Sequence, residues 1–110
     1  MGSDTYLYLT TTGRRSRLPR EIEIWFTHLN GRYYVIAEYT TSNWVRNIMA
    51  EPRVRVRVDG GSFSGHASEV KDASLRDRVQ ELSRKKYGWG DGLVVEIAPD
   101  SPEAERDLQP

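Results

Sequence analysis

The chain has no cysteine, only two histidines, and no apolar run near the ~20 residues that a membrane-spanning helix needs. The absence of cysteine excludes a disulfide scaffold and a thiolate metal site. His28 and His66 stand far apart, with no HxH or HExxH spacing, so no metal ligand is assigned. There is no GxSxG elbow and no Walker A sequence. The start, Met1 to Asp4, lacks the basic residues and apolar stretch of a signal peptide, and a cytoplasmic location is expected. Net charge is lacking too, because 16 Lys and Arg balance 16 Asp and Glu. That balance argues against a uniformly basic nucleic-acid binder. Residues 1–110 are expected to form one domain, with 1–5 and 100–110 as loose termini.

The zero hides an asymmetry. Residues 1–58 carry 9 basic and 5 acidic side chains, and residues 59–110 carry 7 and 11. Of the 16 cations, 13 are arginine, whose planar fork suits phosphate and carboxylate. The placement of these arginines is therefore the first functional question.

Residues 6–12 are aromatic and β-branched, and predict a strand that ends at Gly13. Residues 20–27 alternate, with Ile22, Ile24 and Phe26 on one face, and predict a second strand. Asn30 and Gly31 form a hairpin signal, and 32–38 is the return strand. Residues 42–51 read as a short helix, capped by Ser42 and stopped by Pro52. Its apolar stripe is Trp44, Val45, Ile48 and Met49. In 53–59, Val54, Val56 and Val58 alternate with Arg53, Arg55 and Arg57. A turn at Asp59 to Gly61 leads to a strand over 62–70. Asp72 or Ser74 starts a second helix that ends near Tyr87, with Gly88 as its stop. Residues 93–98 predict a last strand. Six mostly antiparallel strands and two helices give a mainly β class (α+β by helix count), built as a barrel or sandwich.

Four groupings carry candidate chemistry. Arg14, Arg15, Arg17 and Arg20, with Ser16, fall in one short segment without an acid. Such a segment can cradle an oxyanion, or it can be a solvated loop, but unliganded it would repel itself. The Arg53, Arg55 and Arg57 row is best read as one wet face of a strand, paired with Glu21 and Glu23. The stretch from Tyr39 to Asn47 offers free amides at a helix start and Trp44 as a stacking ring, although an ordinary capped helix reads the same way. Tyr87 and Trp89, around Gly88, either line a pocket or plug a core.

Thr10 to Ser16, then Pro19 and Arg20, then Trp44 to Val56, are similar to the deazaflavin-dependent nitroreductase family. The resemblance extends from about Tyr6 to Pro99. It implies a split β-barrel, a cousin of the FMN-binding and pyridoxamine-phosphate oxidase group. It also implies binding of coenzyme F-420, with hydride transfer to a quinone, nitroaromatic or other conjugated acceptor. By this resemblance Arg14, Arg15 and Ser16 hold the phosphate and anionic tail, and Arg20 matches the cofactor-binding arginine after the loop. Ala37, Glu38 and Tyr39 match a strand end at the site, and Trp44, Asn47 and Ile48 match a helix beside the ring. Tyr39 and Tyr87 are the candidate proton donors. Arg17 departs from the family, which has glycine there. FMN with the same arginines is the alternative cofactor, and a non-catalytic cofactor-binding protein is a further alternative. The expected partners are a small-molecule cofactor and an electron acceptor, with a homodimer as one arrangement and neither nucleic acid nor a membrane span.

Overall fold

The computed structural model describes residues 5–100. In chain order these form β1 (Tyr6–Thr12), β2 (Pro19–Trp25), β3 (Thr27–Leu29), β4 (Arg32–Ala37), α1 (Asn43–Ala50), β5 (Arg53–Val58), β6 (Gly61–Glu69), α2 (Ala73–Tyr87) and β7 (Leu93–Pro99). The strands make one antiparallel sheet in the order β2-β1-β5-β6-β7-β4-β3. The two end strands, β2 and β3, are consecutive in the chain and separated only by Phe26. The sheet therefore curls until its edges are neighbours, and β2 touches β4 with no ladder between them. This is the expected split β-barrel with two helices.

The expected single strand over 20–27 is instead two, so seven strands replace six. Phe26 is the break, and its backbone has other partners. Its N–H donates to Tyr87 Oη at 3.2 Å, and its carbonyl accepts from Tyr87 Oη at 3.0 Å and Lys86 Nζ at 3.1 Å. Side chains of α2 thus take the hydrogen bonds that a continuing ladder would use.

Two hairpins set the registers. Asn30 and Gly31 have φ of 52° and 79°, and Asp59 and Gly60 have 52° and 80°. Leu29 pairs with Arg32 and Val58 with Gly61 across these two-residue turns. Positive φ at both central positions matches the turn twist to the strands.

The barrel interior holds Leu7, Leu9, Val35, Val56, Val95 and Ile97, all at most 1% exposed, with Ile48 of α1 packed among them. A smaller cluster lies under α2, where Val79 meets Tyr34 of β4 and Val94 of β7. Strands β4 and β7 are therefore covered on both faces. Asp72 caps α2 by accepting from the N–H groups of Ser74 and Leu75, and Gly88 ends it at φ 82°.

Helix α1 differs from its expected form in two ways. Ser42 precedes it without a side-chain cap bond. Its buried face holds Val45, Asn47 and Ile48, whereas Met49 is 60% exposed. A polar residue takes the place the hydropathy stripe gave to Met49, because Asn47 has partners inside.

Candidate cofactor site

Strand β1 leads into the arginine loop. Its inward positions run Leu7, Leu9, Thr11, so the register that fills the core also buries a threonine at the barrel's mouth. Gly13 follows. Its N–H donates to the Leu18 carbonyl at 2.8 Å and its carbonyl accepts from Arg17 N–H at 2.8 Å, which closes the loop on itself. A Cβ on Gly13 would lie 2.5 Å from Ser16 Oγ and 3.2 Å from the Leu18 carbonyl oxygen, so a side chain here would displace the Ser16 hydroxyl. Ser16 Oγ accepts from Leu18 N–H at 3.2 Å and keeps its own proton to donate outward.

Asn47 joins this loop to α1. Its Oδ1 accepts from the Arg14 backbone N–H at 3.2 Å and from Arg14 Nη1 at 3.0 Å. Its Nδ2 donates to Thr11 Oγ1 at 3.1 Å. Asn43 Oδ1, one turn earlier, accepts from Arg14 Nη2 at 3.4 Å. The Arg14 guanidinium is therefore held by two neutral amides, and its charge is not cancelled. Among the described residues, neither Arg15 nor Arg20 has an ion-pair partner.

These residues border a cleft of about 670 Å³. Of the residues named from the sequence, Arg14, Arg15, Ser16, Arg20, Trp44 and Asn47 line it together, although the first four lie 24 or more positions before Trp44. The wall includes Thr11, Asn43, Pro19 and Ile22, which were not singled out as site residues. Thr11 carried a readable signal, as a hydroxyl in the inward register of an otherwise apolar strand face. The remaining candidates lie elsewhere. Ala37 is buried at the end of β4, Glu38 is exposed, and Tyr39 is 63% exposed; none of the three lines this cleft. They lie near a second cleft of about 610 Å³ on the other side of Arg14. Its walls include Thr40, Val45, Met49 and Leu93, and Leu93 pairs with Ala37. Ile48 belongs to the barrel core. Tyr87 stacks on Trp25, with centroids 4.6 Å apart, and its hydroxyl contacts the Phe26 backbone and the Thr5 carbonyl. It lines neither cleft.

The arginines of β5 behave as a wet strand face. Arg57 lies 3.4 Å from Glu21 and over the Tyr8 ring at 4.1 Å, and Arg55 donates to Ser64 Oγ at 3.3 Å. Glu23, also expected as a partner, takes no part in these contacts. Among the described residues no group of His, Asp and Glu could hold a metal ion, and no helix is long and apolar enough to cross a membrane.

The donor set fits an anionic ligand. Guanidinium charge, a free hydroxyl proton and a side-chain-free glycine face one opening, beside the indole of Trp44. A split β-barrel with a basic cleft at the mouth, between a glycine turn and a helix, is the class of protein these features define.

The chain belongs to the F420H(2)-dependent quinone reductase family, whose model matches residues 1–91. Solved structures share the fold. An F420-H2 dependent reductase (FDR-A) superposes with a TM-score of 0.70 at 21% identity, over 84% of this chain and 93% of that one. An FAD-binding protein from Mesorhizobium loti gives 0.73 at 15%, over 91% and 84%. The heme storage protein HutZ from Vibrio cholerae gives 0.76 at 17%, over 90% and 84%. No curated protein matches the chain in sequence.

Proposed function

We propose that the protein is an F420-dependent oxidoreductase that acts in the cytoplasm on a quinone, nitroaromatic or other conjugated acceptor. The observation that carries this reading is the pair of partner-free arginines, Arg15 and Arg20, beside Arg14 and Trp44 in one cleft of a family member. Arg15, Arg20 and the Ser16 hydroxyl would hold the phosphate and the anionic tail. Arg14 would add charge from a fixed position, and Trp44 would flank the ring. When bound, the reduced deazaflavin supplies a hydride for the acceptor. Tyr39 is the better placed of the two tyrosines to hold a proton, because the Tyr87 hydroxyl is committed to backbone groups.

The test is a fluorescence titration with oxidised and reduced coenzyme F-420, with FMN in parallel. Saturable binding of the deazaflavin at micromolar concentrations supports the reading. Failure of both forms at tens of micromolar overturns it. Preferential FMN binding favours the flavoprotein alternative, for which the FAD-binding neighbour and the same arginines speak. Tight binding without turnover for any acceptor would favour a cofactor-binding protein. A homodimer would use the outer edge of β2, which has β1 as its sole ladder partner among the described residues.

A further inference from the structure

A third cavity lies on the barrel seam, at the opposite end of β2 from the arginine loop. It has a volume of about 210 Å³ and is bounded by β2, β4 and the segment after α2. Ile22 lines the basic cleft, whereas Ile24, two residues further on and on the same strand face, lines this cavity. The two sites are thus neighbours along one strand, without a shared lining residue.

Its walls differ in kind from those of the cleft. Trp25, Trp89, Ile24 and Ile36 are among its lining residues, and no arginine or lysine lines it. Trp25 is held by its stack on Tyr87, at an interplanar angle of 5°, and Tyr87 is fixed by its bonds to the Phe26 backbone. That wall is built before any ligand arrives. Tyr34 Oη is already engaged with Glu96 at 3.0 Å. Glu23 is different: it lines the cavity, and its carboxylate has no hydrogen-bond or ion-pair partner among the described residues. Lys86 lies over the ring of Phe26, a lining residue, at 4.0 Å and donates to the Phe26 carbonyl.

From these walls we propose that the seam cavity is a binding site for a small planar aromatic molecule of one or two fused rings that carries an N–H donor or a cationic nitrogen. Indole walls suit a flat ring and a nearby cation. The volume falls below the about 300–1,000 Å³ of pockets for drug-sized ligands, which limits the ring count. A free carboxylate at the edge rewards a donor and repels an anion. The proposal does not depend on the cofactor reading, since no residue of the basic cleft takes part.

The experiment uses the full chain and three isosteric probes: aminoquinoline, quinoline and quinoline carboxylate. Binding is followed in amide NMR spectra at Glu23 to Thr27 and at Trp89. Aminoquinoline is expected to bind saturably, with about tenfold preference over the carboxylate, the size of one charge-assisted hydrogen bond. Glu23→Gln should erase most of that preference and leave quinoline binding in place. Ile36→Phe, which fills the cavity, should weaken all three. Coenzyme or FMN binding at the arginine loop should persist in both variants. No saturation by any probe at millimolar concentration would overturn the proposal. So would a donor preference that survives Glu23→Gln, or shifts confined to residues 11–20.

Discussion

Asn47 Oδ1 accepts two hydrogen bonds from a single partner, one from the backbone N–H of Arg14 and one from its guanidinium. The arrangement fixes both the path of the loop and the position of a charge. Asn47 is 3% exposed, and its other amide atom is bound to Thr11. Replacing it with alanine would strand the Arg14 N–H and the Thr11 hydroxyl. Asn47→Ala is expected to cost about 2–3 kcal/mol, measured by urea unfolding. Asn47→Asp keeps both acceptor bonds but cancels the Arg14 charge. It should retain the fold while lowering affinity for an anionic cofactor about tenfold in a fluorescence titration.

Arg15 and Arg20 have no partner to lose. The double variant Arg15→Ala with Arg20→Ala should keep its stability within about 0.5 kcal/mol. Its affinity for the phosphate-bearing cofactor should fall about 100-fold, from two charge-assisted bonds. The remaining affinity should depend less on salt. Arg14→Ala should lower both stability and affinity, because its guanidinium serves both.

Arg17 has φ 62°, a left-handed conformation on a side chain with a Cβ. The loop of this chain imposes on Arg17 the geometry that glycine adopts freely. Its contact with Glu51 spans 3.9 Å, with the arginine side chain 63% exposed, and such pairs contribute little. Arg17→Gly relieves about 1–2 kcal/mol of strain and adds about 0.4–1 kcal/mol of unfolded-state entropy. A net stabilisation of about 0.5–1 kcal/mol is expected by denaturant unfolding, with the cleft unchanged.

Gly92 brings the start of β7 against the end of β4. A Cβ there would sit 2.0 Å from the Ala37 carbonyl oxygen and 2.8 Å from Ile36 Cγ2. Backbone cannot swing aside as a side-chain tip can. Gly92→Ala is expected to destabilise by about 2–3 kcal/mol in a thermal melt, through overpacking.

Tyr34 is buried beside Glu96, and burial, followed by that hydrogen bond, pushes its phenol from 10.0 up to about 12. The folded state holds this proton more tightly than the unfolded chain does. The associated stability is full below pH 10 and is lost as the pH rises toward about 12. An ultraviolet titration should show one tyrosine ionising last, and Tyr34→Phe should remove that step.

Much of the fold was legible because local chemistry decided it. Asn30-Gly31 and Asp59-Gly60 supply the positive φ of both turns, and Asp72 and Gly88 bracket α2. The break at Phe26 was not legible. Ile22, Ile24 and Phe26 keep one period across it, and the partners that end the strand are 60 residues away on α2. The rotation of α1 was hidden for a similar reason. Hydropathy prefers Met49 inside, and only the distant Thr11 and Arg14 explain why Asn47 is there instead. The arginine loop was visible as a charge cluster. The division of labour between Arg14, which is braced, and Arg15 and Arg20, which are free, required the packing of α1 against β1.

The barrel is closed at Phe26 by the covalent chain and by side-chain contacts, not by a ladder between its edge strands. Opening along that line breaks no strand-to-strand hydrogen bond. It exposes Ile22 and Ile24, which face the two neighbouring cavities. The seam is thus the soft direction of an otherwise continuously hydrogen-bonded sheet. Amide exchange should be fastest along the outer edge of β2 and slowest in β5, β6 and β7, which are paired on both sides. A molecule wedged into the smaller cavity, which β2 and β4 both line, would act as a splint across that line, slowing exchange in β2 with no change in the rest of the barrel.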